Sequence, residues 1–175
     1  LGYFILRETL PVENRRPFTF ARANPFGTLL QMMKMPLVIG CLVTIFFMQL
    51  SAQANITVWS YYGALQFGWG PIAIGLTVAL YGTTIAIVQG LLVGKTIGRW
   101  GAERTARWSL FFGLPSYLIL AFAQSTWHAL AAILIGSITG LTFPALQSLM
   151  SKRVSETAQG ELQGAIGSAI SLTSI

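Results

Sequence analysis

Four stretches of the chain are long and apolar enough to cross a lipid bilayer, and they alternate with short segments that hold every charged residue. The stretches lie at about 36–59, 72–93, 108–123 and 129–150, and a fifth begins at 162. A spanning helix needs about 20 apolar residues, because the hydrocarbon core is about 30 Å thick. The chain is 54% hydrophobic and 9% charged, whereas a soluble domain is about 25% charged. The pattern predicts an all-α membrane protein with about four crossings.

The charged residues all fall on one face of the bilayer if successive spans alternate in direction. The 11 Lys and Arg residues are Arg7, Arg15, Arg16, Arg22 and Lys34, then Lys95, Arg99, Arg104 and Arg107, then Lys152 and Arg153. Lys and Arg accumulate in cytoplasmic loops, so this face is predicted to be cytoplasmic. The net charge of +6 does not indicate nucleic-acid binding, because the basic residues are dispersed among short loops between apolar stretches.

The sequence offers little material for catalysis or metal binding. Cys41 and His128 are the only cysteine and histidine, too few for a zinc site or a Cys-His nucleophile pair. The predicted spans contain no carboxylate, so they supply no acidic group for a proton relay. We therefore predict no metal, no cofactor and no enzymatic activity.

Uncharged polar side chains within the spans are candidates to line a substrate cavity. Gln49 and Gln53 lie one helical turn apart in the first span, and Tyr81 and Gln89 lie in the second. Hydrogen bonding between helices is the alternative role for such side chains. Prolines inside membrane helices interrupt backbone hydrogen bonds, so kinks are predicted at Pro115 and Pro144.

The segment between the second and third spans reads GKTIGRWGAER from Gly94 to Arg104. Gly94 would permit a tight helix exit and Gly101 a turn, while Arg99 and Arg104 would place cations at the cytoplasmic rim. A basic loop that only obeys the orientation bias explains these residues equally well. The segment also resembles the G-x-x-x-D-R-x-G-x-[RK]-[RK] signature of the major facilitator superfamily. Gly98 stands where that signature has its acidic residue.

Three further stretches resemble the tetracycline-resistance branch of that superfamily: FFMQLSAQ at 46–53, FPALQSLMS at 143–151 and QGELQG at 159–164. The resemblance implies a partial C-terminal six-helix half of the superfamily's helical bundle. Residues 1–6 would end helix six, 7–35 would form the central cytoplasmic loop, and 36–175 would hold helices seven to ten and the start of eleven.

The resemblance also implies a function. It indicates a secondary active transporter that exports a drug-like or hydrophobic molecule in exchange for protons, by alternating access, in the bacterial inner membrane. Gly94, Arg99, Gly101 and Arg104 would then belong to the cytoplasmic gate. The expected partners are a small-molecule substrate, the lipid bilayer, the N-terminal half of the same transporter, and protons that bind in that half.

The chain departs from this branch at two positions. Its members typically carry a histidine in helix eight and an aspartate in helix nine, and spacing places these at Ile85 and Gly113. Without those groups, a cationic metal-chelated tetracycline is a poor fit as substrate. Two alternatives stay open: a uniporter or importer of a neutral metabolite on the same fold, and a membrane-embedded enzyme or assembly factor.

Overall fold

The computed structural model describes residues 35–155 and 158–174. Its elements are α1 (Pro36–Phe67), α2 (Pro71–Trp100), α3 (Ala102–Ala121), α4 (Thr126–Ser137), a 3-10 segment (Ile138–Leu141), α5 (Thr142–Ser151) and α6 (Gln159–Ser171). The described part contains no strand, and the predicted all-α class is confirmed. The helix end expected at 1–6 and all but the last residue of the loop expected at 7–35 lie outside the described residues.

Helix α1 continues farther than the sequence pattern predicted. The first span was predicted to end at about 59 and the second to begin at about 72, with a loop between them, but the helix runs to Phe67 and only three residues separate it from α2. The stretch from 61 to 67 has no proline, and its one glycine, Gly63, lies inside the helix. The helix ends at Gly68, whose φ of 66° is the left-handed conformation that glycine adopts at helix ends. The predicted loop was therefore placed too early.

The predicted basic loop from 95 to 107 is also helical. Helix α2 extends to Trp100 and α3 begins at Ala102, so Gly101 alone connects them. Gly101 has φ 80° and ψ 159°, a region essentially restricted to glycine. Its N–H donates to the Ile97 carbonyl at 3.0 Å, and its own carbonyl accepts from the Thr105 N–H at 3.1 Å. The basic residues therefore lie on the ends of two directly joined helices.

Three helices in the described part have the length and composition of membrane spans: Pro36–Phe67, Pro71–Trp100 and Thr126–Ser151, the last combining α4, the 3-10 segment and α5. Each has a mean hydropathy of 1.9 over its most apolar window. The predicted third crossing, α3, is not among them. It is less apolar, because its first two turns carry Glu103, Arg104 and Arg107. With 20 residues it is still about 30 Å long, close to the thickness of the hydrocarbon core.

The core lies where the first half of α1 packs against α5 and α6. Every third or fourth residue of α1 is buried there, as expected for one face of a helix. The main contributors are Val38, Cys41, Leu42 and Ile45 from α1, Ala145, Leu146 and Met150 from α5, and Leu162, Ala165 and Ile166 from α6. Elsewhere the helices expose large apolar side chains, such as Leu65 at 86% and Ile72 at 81%, as lipid-facing surfaces do.

Candidate functional site

A break in the third span brings α2 into contact with the 3-10 segment. Pro144 has no N–H, so the Gly140 carbonyl four residues earlier lacks its usual α-helical donor. The Gln89 Nε2 of α2 donates to that oxygen at 3.2 Å. A Cβ added at Gly140 would lie 3.5 Å from Ile85 Cγ1, so the helices are in contact here. The change from α to 3-10 geometry lies just before Pro144, and the kink predicted at that residue stays a prediction.

Helix α3 also packs against the third span near the same segment. A Cβ added at Gly113 would lie 3.4 Å from Thr139 Cγ2, and one added at Gly136 would lie 2.6 Å from Ser116 Oγ. The Ser116 hydroxyl donates to the Ala132 carbonyl at 2.9 Å. We call Ile85, Gln89, Gly113, Thr139 and Gly140 the helix-break node. Helix α3 itself continues through Pro115, so the other predicted kink produces no change of helix type.

The structure does not gather the four predicted cavity residues into one site. Gln49 is half-buried and Gln53 exposed, and in the described part of the chain neither amide has a hydrogen-bond partner. Tyr81 is 43% exposed. Gln89 instead makes the interhelical hydrogen bond that was its alternative interpretation. A cavity role for Gln49, Gln53 and Tyr81 stays a prediction.

A cleft between α1 and α3 was missed by the sequence analysis. Near one end of the cleft, a hydrogen bond of 2.8 Å between Ser51 Oγ and the Tyr117 hydroxyl joins the two helices. Near the other end the Tyr62 hydroxyl donates to the Leu120 carbonyl at 2.6 Å. Between these bridges lies a cavity of about 300 Å³, which we call the aromatic cleft. Its lining residues are Asn55, Val58, Trp59, Tyr62, Tyr117, Leu120 and Ala121.

The geometry of an α-helix explains why the sequence analysis did not find this cleft. Residues two positions apart on a helix point about 200° apart, so Gln53 and Asn55 face different sides of α1. The polar stripe chosen from sequence followed Gln49 and Gln53, whereas the residues facing α3 are Ser51, Asn55 and Tyr62. Their spacing of four and seven residues fits one helical face and could have marked the site.

Aromatic side chains cluster at the end of α1 beside the cleft. The Trp59 Nε1 donates to Thr77 Oγ1 of α2 at 3.0 Å, and the Trp69 Nε1 donates to Thr126 Oγ1 at 3.0 Å. The Trp59 and Trp69 rings are 5.9 Å apart between centroids. Trp69 is 8% exposed and folds against Gly63, which leaves no room there for a side chain. Tryptophan and tyrosine concentrate at membrane interfaces, which fits this end of the helices.

The predicted gate residues lie around the Gly101 connection at the opposite end. Gly94 is inside α2 and does not end that helix, which corrects its predicted role as a helix exit. Arg99 and Arg104 are exposed, and within the described ranges neither forms an ion pair. Arg107 pairs with Glu103 at 2.7 Å. A role for Gly94, Arg99, Gly101 and Arg104 in gating stays a prediction.

Comparison with known proteins decides the family. The family model for the Major Facilitator Superfamily matches residues 1–175. The chain belongs to the major facilitator superfamily. It is therefore an integral membrane protein of a transporter family, and the resemblance noted in the loop after the second span is confirmed.

This major facilitator chain is similar to tetracycline resistance proteins. It is 31% identical over 175 residues to the class C protein of Escherichia coli, covering 100% of this chain and 44% of that protein. It is 35% identical over 138 residues to the class G protein of Vibrio anguillarum, covering 78% and 35% respectively. It is also 25% identical over 165 residues to Hippocampus abundant transcript-like protein 1 of Bos taurus, covering 91% and 33%.

The chain thus spans less than half the length of these curated relatives. No solved structure matches it. The similarity to the tetracycline-resistance branch confirms the resemblance carried by its sequence motifs. That resemblance places ionisable side chains at the positions of Ile85 and Gly113, both in the helix-break node. There Ile85 lies beside Gly140, and Gly113 lies beside Thr139.

Proposed function

We propose that the chain is part of a secondary transporter that exports a hydrophobic, drug-like molecule in exchange for protons across the bacterial inner membrane. The observation that carries the proposal is the 31% identity to a tetracycline resistance protein over all 175 residues. In this proposal residues 1–6 end helix six, 7–35 form the central cytoplasmic loop, and 36–175 supply helices seven to ten and the start of eleven.

The node supports an uncharged substrate. A Cβ added at Gly140 would lie 3.5 Å from Ile85 Cγ1, and one added at Gly113 would lie 3.4 Å from Thr139 Cγ2. Both positions are therefore close to the 3-10 segment, and an ionised side chain at either would need room and a partner. No carboxylate lies between residues 36 and 102 or between 104 and 155. We therefore assign proton binding to the N-terminal half of the transporter.

Alternating access is largely a rigid-body rocking of two halves around a fixed central site. The third span is interrupted by the 3-10 segment, and discontinuous membrane helices often form transport sites. In the proposed cycle the two halves rock about this region, while Arg99 and Arg104 contact the N-terminal half when the cytoplasmic side is closed. Gln49, Gln53 and Tyr81 face the cavity in this proposal.

Everted membrane vesicles that contain the complete transporter test the proposal. Acidification of the lumen by respiration should drive uptake of a hydrophobic drug, and a protonophore that collapses the proton gradient should abolish accumulation. Vesicles without the transporter provide the baseline. Equilibration of substrate that continues unchanged after collapse of the gradient would instead establish the uniporter alternative, which the absence of carboxylates from the described spans favours.

A further inference from the structure

The aromatic cleft has walls that suit one class of ligand. Trp59, Tyr62 and Tyr117 contribute aromatic rings, and Val58, Leu120 and Ala121 contribute aliphatic surface. Its volume of about 300 Å³ is at the lower end of the range for small-molecule sites. No lining residue carries a formal charge at neutral pH. The walls therefore favour a small, flat and uncharged molecule.

One polar group in the cleft is available to a ligand. The amide of half-buried Asn55 has no hydrogen-bond partner among residues 35–155 and 158–174. The other polar side chains at the cleft are already engaged: Tyr117 with Ser51, Tyr62 with Leu120, and Trp59 with Thr77. Asn55 therefore offers the cleft both a donor and an acceptor that the protein does not use.

Hydrogen bonds join the two walls of the cleft near both of its ends. Ser51 to Tyr117 and Tyr62 to Leu120 connect α1 and α3 on either side of Asn55, which limits how far the helices can separate or collapse. Val58 is 54% exposed and Tyr117 is 48% exposed, so the cleft is open at the surface of the described part of the chain.

We propose that the aromatic cleft binds a neutral, planar aromatic molecule of about two rings that bears one hydroxyl or carbonyl group. The rings lie against Trp59 and Tyr62, and the polar group hydrogen-bonds to the Asn55 amide. That the bound molecule is also the exported substrate rests on the proposed function. Binding of the molecule in the cleft does not depend on that function.

Three naphthalene probes test the site on the complete transporter in nanodiscs, by equilibrium dialysis against empty nanodiscs. The probes are 2-naphthol, naphthalene without the hydroxyl, and the charged 2-naphthalenesulfonate. We expect 2-naphthol to bind most tightly and the sulfonate to show no saturable binding. Asn55→Leu should weaken 2-naphthol binding about tenfold, the effect of losing one hydrogen bond, and leave naphthalene binding unchanged.

Two further variants locate the binding. Val58→Trp fills the cleft from an exposed position and should weaken both 2-naphthol and naphthalene. Gln124→Leu removes an exposed amide outside the cleft and should weaken neither. An aryl azide derivative of 2-naphthol should label the wild-type protein within 55–62 or 117–121.

The proposal is overturned by labelling confined to other segments, or by unchanged 2-naphthol binding in both Asn55→Leu and Val58→Trp. Because none of these measurements involves transport, failed efflux in vesicles would refute the proposed function alone. Loss of binding in the cleft variants with efflux intact would show that the cleft is not the cargo's route.

Discussion

The Gln89 side chain of α2 donates its Nε2 to the Gly140 carbonyl, 3.2 Å away, and this is the oxygen for which Pro144 provides no helical donor. A side chain from one span thus replaces a backbone hydrogen bond that another span cannot make. In a bilayer an unsatisfied carbonyl is costly, because no water is present to bond with it. The Gln89 to Gly140 contact therefore accounts for a polar side chain deep in an apolar helix.

Gln89→Leu should destabilise the transporter by about 0.6–1.7 kcal/mol, the range measured for hydrogen bonds between membrane helices. Pro144→Ala restores a backbone N–H, so Gln89→Leu should cost less in that background. Thermal unfolding of the four proteins in detergent gives the coupling. Equal losses with and without Pro144 would show that Gln89 does not compensate for the proline.

Gly136→Ala should destabilise the contact between α3 and α4 by about 1–3 kcal/mol, because the added Cβ would lie 2.6 Å from Ser116 Oγ. Gly90→Ala is the matched control: a Cβ there meets nothing within 4 Å, and alanine favours the helix. The midpoint of thermal unfolding should fall for the first variant and stay level or rise for the second. A fall of the same size in both would contradict the packing shown here.

Gly101→Ala should destabilise the connection between α2 and α3 by about 1–3 kcal/mol, because φ 80° with ψ 159° strains any residue with a side chain. Gly98→Ala, three residues earlier inside α2, lacks this strain and serves as its control. Limited proteolysis at the connection should increase only in the Gly101 variant. Identical digestion of the Gly101 and Gly98 variants would contradict the positive φ of Gly101.

Arg99→Gln and Arg104→Gln should lower the transport rate severalfold without changing the thermal unfolding midpoint, since both side chains are exposed and unpaired in the described part of the chain. Arg107→Gln is the comparison. It removes the exposed pair with Glu103, a type of interaction worth about 0–1 kcal/mol, and should leave transport largely intact. Equal transport rates in all three variants would show that Arg99 and Arg104 have no role in the gate.

The sequence predicted the features that depend on composition and local pattern. Apolar length located α1 and α2, and the glycine signature located the connection at Gly101. The end of α1 was misplaced because the stretch from 61 to 71 contains three glycines and a proline, whereas Gly68 is the residue that ends the helix. Length alone also counted α3 as a span, although the charges in its first turns reduce its hydropathy.

The partners of polar side chains could not be predicted in this way. The bond from Gln89 to Gly140 joins residues 51 positions apart, and the one between Ser51 and Tyr117 joins residues 66 apart. Both depend on how far each helix is rotated about its own axis, which packing decides and apolar composition does not. The same rotation places Asn55 in the cleft and Gln53 outside it.

The charge-free spans have an electrical consequence. No side chain between residues 36 and 94, or between 108 and 151, carries a formal charge at neutral pH. A potential of 100 mV does about 2.3 kcal/mol of work on each elementary charge that moves fully across the membrane. In the proposed cycle, rocking of α1, α4 and α5 carries no fixed side-chain charge through that field. Any voltage dependence of the transport cycle therefore originates in charges outside these helices.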